Sequence, residues 1–86
     1  MKIKVVEVFP GYILRLEYEN GEIRIFDGKE LHGLSTFFDE LKSPDYFKQV
    51  KIDPVFENTV VWPHGQDMAP EWLYERSGAI QQRVTA

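Results

Sequence analysis

The sequence predicts a single small α+β domain, in which a mainly antiparallel sheet of about five strands carries short helices on one face. Residues 3–27 are rich in β-branched and alternating apolar residues, a pattern typical of strands. The turn pairs Pro10-Gly11 and Asn20-Gly21 divide this segment into three strands. After Gly28 the pattern changes to short helical stripes and short strands, so the predicted order is β-β-β-α-β-β-α.

Length and composition limit the chain to one globular unit. Its 86 residues are 43% hydrophobic and 14% aromatic, which suffices for one core but leaves no room for a buried cofactor cradle. We predict that residues 1–78 form the domain. Residues 79–86 are predicted to be a C-terminal tail, either frayed or a helical extension.

Charge and cysteine content narrow the classes of function. The chain has no cysteine, which excludes disulfides and thiolate metal sites and favours the reducing cytoplasm. It shows no apolar run of the kind found in signal peptides or membrane spans. The formal net charge is −4 and there is no basic cluster, so we expect no direct binding of nucleic acid.

The second hairpin is predicted from its turn. Asn20-Gly21 fits a two-residue type I′ turn, because both residues tolerate the positive φ that its central positions require. Such a turn sets the register of the two strands and puts the apolar residues on one face. The expected cross-strand pairs are Tyr18 with Ile23, Leu16 with Ile25, and Glu17 with Arg24.

The first hairpin leaves two alternatives open. A tight Pro10-Gly11 loop pairs Val5 with Leu16 and leaves Val6 and Val8 on the polar face. Either that face is partly covered, or the loop is looser and the register differs.

The predicted helices begin at recognisable caps. Ser35 is a candidate N-cap for a helix over about residues 36–42. A second helix is predicted to begin at Ser43-Pro44, with Ser43 as its N-cap and Pro44 as its first helical residue. Pro70 begins the last helix, and Gly78 is its predicted C-terminal cap. Short strands are expected over residues 50–53 and 59–62.

The densest polar and aromatic stretch runs from Trp62 to Tyr74. Part of it is explained by folding, because Pro70 starts a helix and Trp62 and Leu73 are predicted core residues. Trp72 and Tyr74 are expected to be exposed, like the aromatic residues of binding hot spots. The candidate interaction edge that remains consists of His64, Gln66, Asp67, Glu71 and Trp72.

This edge does not fit a catalytic or metal site. His64 with Asp67 or Glu71 supplies fewer than the three protein ligands that catalytic zinc takes. The sequence has no nucleophile elbow, P-loop or dinucleotide-binding glycine pattern. We therefore expect no catalytic residue, no metal and no cofactor, and we predict that the chain is not an enzyme. A buried His64–Asp67 pair lining a pocket is what an enzyme would need.

Three segments together resemble a known bacterial family. The segment Val60–Asp67, followed by Pro70-Glu71 and Leu73-Tyr74, resembles the end of the family catalogued as domain of unknown function 2442. The hairpin segment Glu19–Asp27 and the segment Phe38–Val50 are similar to its earlier parts. The resemblance covers about residues 2–76 and implies a small α+β domain without assigned catalytic residues.

The resemblance also implies a type of partner. Some members of the family carry a helix-turn-helix domain, whereas others are encoded beside a small protein of family 4160, as in toxin–antitoxin pairs. This chain resembles the stand-alone form. We therefore expect a non-enzymatic protein-interaction module, the antitoxin-like partner of a small toxin-like protein. The alternative is a sensor that binds a small ligand beside the Trp62–Trp72 loop, and an exposed edge strand also favours a homodimer.

Overall fold

A computed structural model describes residues 1–79 and confirms the α+β class. The strands are β1 (Ile3–Phe9), β2 (Ile13–Tyr18), β3 (Ile23–Asp27), β4 (Lys51–Ile52), β5 (Val60–Val61) and β6 (Gly78–Ala79). They form two antiparallel sheets, whereas the sequence predicts one. The main sheet has the order β1-β2-β3-β6, and β4 pairs with β5.

The helices are short. They are a first 3-10 helix (Gly28–Leu31), a second 3-10 helix (Thr36–Lys42), α1 (Pro44–Phe47) and α2 (Pro70–Arg76). The helix predicted over residues 36–42 is present in the tighter 3-10 form, and Ser35 makes no side-chain capping bond. The Ser43 hydroxyl caps α1 by accepting the Tyr46 N–H at 3.4 Å. None of the helices in residues 1–79 has the length and apolar character that crossing a bilayer requires.

The first hairpin has the looser loop of the two alternatives, and its register differs from that of a tight Pro10-Gly11 loop. Its loop includes Tyr12 as well as Pro10-Gly11, so Val6 lies opposite Leu16 and Val8 opposite Leu14. The register shifts between Ile3 and Val5, where the strand bulges. This bulge allows Ile3, Val6 and Val8 to lie on the core side, although their spacing is not that of a regular strand.

The predicted register of the second hairpin is wrong by one residue. Gly21, at φ 92°, ends a three-residue loop in which its N–H bonds to Tyr18 O and the Tyr18 N–H bonds to Glu22 O. This is a type I turn with a glycine bulge, which accepts the same Asn-Gly pair as a two-residue turn. The observed pairs are Glu17 with Ile23, Leu16 with Arg24, Arg15 with Ile25 and Leu14 with Phe26.

The one-residue shift exchanges the faces of β3. Phe26 is fully buried in the core, whereas Ile23 and Ile25 lie on the opposite side of the sheet. The predicted Glu17–Arg24 ion pair is absent for the same reason. Arg24 instead donates to Ser77 Oγ at 2.8 Å and Ser77 O at 2.7 Å, at the end of α2.

Gly78 is a strand residue and does not cap α2. The helix ends at Arg76 with Ser77 as its C-cap, and Gly78 then pairs with Ile25 as the first residue of β6. Ala79, which the sequence assigns to the tail, pairs with Arg24. The predicted conformation of residues 80–86 lies outside the described residues.

The core lies between the main sheet and the helices. Trp62 and Leu73 are buried in it, as predicted, and Trp62 Nε1 donates to Phe47 O at 2.9 Å. Trp72 and Tyr74 are only partly exposed and pack against this core, so their predicted exposure is wrong. The buried apolar residues are Ile3, Leu14, Leu16, Tyr18, Phe26, Leu31, Leu41, Phe47, Val60, Trp62 and Leu73.

The opposite side of the main sheet, which we call the outer face, carries none of these core residues. Its members are known from the register and from the alternation of side chains along each strand. They are Val5, Glu7 and Phe9 from β1, Ile13, Arg15 and Glu17 from β2, and Ile23, Ile25 and Asp27 from β3.

Candidate functional site

His64 is joined to a carboxylate from another element. Its Nδ1 lies 2.7 and 2.9 Å from the two carboxylate oxygens of Glu40, which belongs to the second 3-10 helix. Its backbone N–H donates to Tyr46 Oη at 2.9 Å, and its ring lies over the Tyr46 ring. The hydrogen bonds from His64, the largest cause, and from Gln66 hold the pKa of Glu40 below its usual value.

Gln66 is buried, unlike the other members of the predicted edge. Its Nε2 donates to Phe37 O at 2.9 Å and to Glu40 Oε1 at 2.8 Å, and its Oε1 accepts from Tyr46 Oη at 2.7 Å. Its main-chain oxygen accepts the Trp62 N–H at 2.9 Å. Gln66 therefore fixes the loop to its neighbours and cannot itself form part of a contact surface.

Asp67 and Glu71 lie elsewhere, along a groove of about 390 Å³. The groove separates the loop before α2 from the turn before β5. The two sides are tied together, because Thr59 Oγ1 donates to Met68 O at 2.6 Å and Val61 bridges to Asp67. The lining residues are Asp53, Phe56, Asn58, Thr59, Asp67, Met68, Ala69, Pro70 and Glu71.

The turn beside this groove holds two apolar side chains in solvent. Val55 is 77% exposed and Phe56 is 73% exposed. Asp53 Oδ1 accepts the N–H groups of Val55 and Phe56 at 2.7 and 3.2 Å, and Asp53 O accepts the N–H of Glu57 at 2.9 Å. Glu57 closes the turn at φ 54°. We call Val55, Phe56, Asp67 and Glu71 the loop surface.

Trp72 belongs to neither group. Its ring packs against Phe26 and lies under the Arg76 guanidinium, 4.3 Å from its centroid. The structure thus brings His64 and Gln66 together around Glu40, brings Asp67 and Glu71 to the groove, and leaves Trp72 apart. A role in binding for His64, Asp67, Glu71 and Trp72 stays a prediction.

Sequence reasoning missed Val55 and Phe56. The signal was available, since an apolar pair between Asp53-Pro54 and Glu57-Asn58 lies inside a run of turn-forming residues. Apolar residues in such a place have no strand or helix partner to bury them. That combination indicates exposure, although it does not show that the turn is ordered.

A second groove, of about 340 Å³, is mostly apolar. It lies between the first hairpin and α1. Tyr12 packs its ring on Phe47 at its base, and the Tyr12 hydroxyl donates to Lys42 O. We call it the apolar groove, and its lining residues are Val8, Phe9, Pro10, Gly11, Tyr12, Pro44, Phe47 and Lys48.

His64 is exposed and pairs with Glu40, so it does not form a buried pair with Asp67. Among residues 1–79 there is no group of three or more His, Asp or Glu side chains placed to hold a metal ion.

Residues 3–79 match the model of a family described as "Protein of unknown function (DUF2442)". Neither the search of curated proteins nor the search of solved structures gave a match.

Proposed function

We propose that this chain, which belongs to the DUF2442 family, is a non-enzymatic protein-interaction module that binds its partner through the loop surface. The observation that carries the proposal is the ordered exposure of Val55 and Phe56. A flexible turn could turn such side chains inward, but this one is fixed by three hydrogen bonds to Asp53. Preorganised apolar side chains lose little entropy on binding.

The charge around the loop surface favours a basic partner. Asp67 and Glu71 lie on the groove beside Phe56, together with Asp53. The whole chain carries a net charge of −4. Complementary charge speeds association and disfavours acidic competitors, so the partner is expected to present basic residues around an apolar contact.

An antitoxin-like role fits this chemistry. A small acidic protein with a fixed apolar contact can cover the working surface of a basic protein without any catalysis. We place this module in the bacterial cytoplasm, as the cysteine-free sequence suggests, with a small toxin-like protein as its partner.

Affinity purification of the tagged full chain from its native host tests this proposal. We expect one protein partner in stoichiometric amount with the wild type and with Leu34→Asp, a matched change at another exposed apolar residue. With Phe56→Asp we expect that partner to be lost, at least about tenfold in the amount recovered, because about 1.4 kcal/mol of lost contact is a factor of ten.

Two results would contradict the proposal. One is the recovery of no stoichiometric partner with the wild type. The other is equal recovery by Phe56→Asp and Leu34→Asp, which would mean that the partner binds at another surface. Circular dichroism of each variant confirms that it is folded.

A second candidate function is a sensor for a small ligand, which the apolar groove favours. Its volume of about 340 Å³ is at the lower end of the roughly 300–1,000 Å³ of small-molecule sites. It lies away from the Trp62–Trp72 loop, where the sequence suggests such a site.

A thermal-shift screen against metabolites and metals separates the sensor from the interaction module. A ligand present at a hundredfold excess over its Kd stabilises the fold by about 2.7 kcal/mol. Reproducible stabilisation that Phe9→Asp removes and Phe56→Asp leaves unchanged supports the sensor. The absence of any stabilising compound leaves the interaction module as the better proposal.

A further inference from the structure

The edge of the main sheet formed by β1 is open along part of its length. β1 is the first strand in the order β1-β2-β3-β6, so within the sheet only β2 pairs with it. Along an antiparallel strand, successive residues direct their N–H and C=O groups to opposite sides. Half of the residues of β1 therefore bond to β2, and the other half point away from the sheet.

The bonds between β2 and β3 show which residues of β1 point away. Tyr18 donates its N–H to Glu22 O at 2.9 Å, so the even-numbered residues of β2 bond toward β3. The odd-numbered residues of β2 bond toward β1, where the register places them opposite odd-numbered residues. The even-numbered Val6 and Val8 therefore direct their N–H and C=O groups away from the sheet. Within residues 1–79, no backbone group bonds to either of them on that side.

The open part of β1 is short, because both ends of the strand are blocked. At its start the strand bulges between Ile3 and Val5, and the Ile3 N–H already donates to Asn58 O at 2.9 Å. At its end Pro10 follows, and proline has no N–H to donate. Bulges and prolines limit how far an edge strand can pair with another sheet. We call the remaining part, Val6–Phe9, the open edge, and it has room for one short strand.

The apolar groove lies at the end of the open edge. Val8 and Phe9 belong to the open edge and also line the groove, whose other wall is formed by α1 and Lys48. The base of the groove is fixed, because the Tyr12 ring packs on the Phe47 ring with 5.2 Å between their centroids. A segment that pairs with the open edge therefore brings a side chain to a preformed apolar groove. Backbone pairing combined with a pocket for a side chain is how edge strands recognise extended peptides.

The charge around the open edge is positive, in contrast to that of the whole chain. Lys48 lines the groove, Lys4 lies on β1, and Lys51 lies on β4, which is close to β1. Among the residues that the structure describes, Lys4 and Lys51 form no ion pair, and Lys48 reaches only Asp45, at 3.8 Å. The one acid of β1, Glu7, is already bound to an arginine guanidinium at 2.7 Å. An acidic occupant therefore complements this edge.

We propose that the open edge binds an extended acidic segment of a partner protein, which adds a short strand to the main sheet. The segment bonds to the N–H and C=O groups of Val6 and Val8, one of its apolar side chains enters the apolar groove, and its carboxylates face Lys4 and Lys48. The open edge shares no residue with the loop surface, so this inference does not rest on the function proposed above. With about four backbone hydrogen bonds, we expect a Kd in the micromolar range or weaker.

Titration of the full chain with synthetic peptides tests this proposal. The probes are peptides of about seven residues that alternate glutamate with apolar residues and carry valine, leucine or phenylalanine at the centre. We expect at least one of them to bind. In NMR spectra the amide signals of Val6 and Val8 should then shift, and these amides should exchange with solvent more slowly. Peptides with lysine in place of glutamate should bind more weakly.

N-methylated peptides separate backbone pairing from side-chain contact. One copy of the best peptide carries N-methyl groups on the amides of one edge, and a second copy carries them on the other edge. The copy that is blocked on the edge facing β1 should bind at least about tenfold more weakly, whereas the other should bind like the parent. This comparison uses the wild-type chain throughout, so it does not depend on the folding of a variant.

Variants of the chain test where the peptide binds. Lys48→Glu should weaken binding of the best glutamate peptide at least about threefold, because one favourable charge pair becomes a repulsion. Lys29→Glu, a matched change at an exposed lysine that does not line the groove, should bind like the wild type. Phe56→Asp should also bind the peptide like the wild type, so failure of the loop surface and failure of the open edge are distinguishable.

Four results would overturn the proposal. The first is that none of the glutamate peptides binds at millimolar concentration. The second is equal binding by the parent and both N-methylated copies, which would mean that the groove takes a side chain or small ligand without strand addition. The third is equal binding by the lysine peptides. The fourth is self-association of the wild type that protects the Val6 and Val8 amides without peptide, because a second copy would then occupy the open edge.

Discussion

The sequence predicts Gln66 on an exposed interaction edge, but in the structure it is a buried residue that fixes a loop. It is fully buried, and its amide binds Phe37, Glu40 and Tyr46. We expect Gln66→Ala to lower the free energy of unfolding by about 1–3 kcal/mol, because buried partners lose their hydrogen bonds. Urea unfolding measures this loss. Gln49→Ala, at an exposed glutamine, serves as the control and should change stability by less than about 0.5 kcal/mol.

The Glu40–His64 contact predicts a pH dependence of stability. The pKa of Glu40 is lower in the folded protein than its usual value, chiefly because of the hydrogen bond from His64. A lowered pKa favours the folded state above the unfolded-state pKa of about 4.3, and this contribution is lost as the pH falls through the folded-state pKa. We expect Glu40→Gln to lose less stability than the wild type between neutral pH and pH about 3.

Carbon-detected NMR titration checks the cause of that shift directly. In His64→Ala the pKa of Glu40 should rise toward its usual value, because the first of the two hydrogen bonds is gone. An unchanged Glu40 titration in His64→Ala would show that the imidazole contact does not exist in solution.

At the scale of elements, the length of the turn between β2 and β3 sets the register of the second hairpin, which the sequence pattern alone did not determine. Asn20-Gly21 suits both a two-residue type I′ turn and a three-residue loop that ends in glycine. The two loops differ by one residue, and this difference moves every β3 side chain to the opposite face. Alternation in β3 could not decide between them, because both Ile25 and Phe26 are apolar. The three-residue loop is the one that buries Phe26 in the core, and this packing involves residues distant in the sequence.

Gly28 is closely packed against residues distant in the sequence, and no local sequence pattern predicts this packing. A Cβ at this residue would lie 2.4 Å from Phe47 Cζ and 2.6 Å from Tyr12 O. We expect Gly28→Ala to cost about 1–3 kcal/mol, because the first 3-10 helix must then move away from α1. Gly33→Ala is the control, since nothing lies within 4 Å of its Cβ position. Thermal unfolding of the two variants should differ clearly, and equal melting temperatures would contradict the packing described.

At the scale of the molecule, the predicted interaction edge is divided among three places. The α+β class and the buried positions of Trp62 and Leu73 followed from local pattern and proline placement. The partners of His64 and Gln66 did not, because Glu40 and Tyr46 come from elements about twenty residues earlier in the chain. Periodicity predicts which face a residue lies on, but it does not predict which distant side chain it meets.

The net charge of the molecule predicts how its partner binding responds to salt. Long-range attraction between an acidic protein of charge −4 and a basic partner is screened over about 8 Å at physiological ionic strength. The association rate with the captured partner should therefore fall as salt is raised, while the dissociation rate changes less. Stopped-flow mixing measures both rates. An association rate that is independent of salt would contradict a basic partner.

The pairing of β6 with β3 has a consequence for synthesis on the ribosome. Residues 1–27 contain all three long strands, so the meander can assemble early, before most of the chain has been made. Its β3 edge is covered only when Gly78 and Ala79 arrive, with Arg24 held by Ser77 beside them. During the interval the nascent chain carries an unpaired strand edge, the kind that pairs with other chains. Gly78 and Ala79, which are made long after β3, therefore protect a strand edge that forms early.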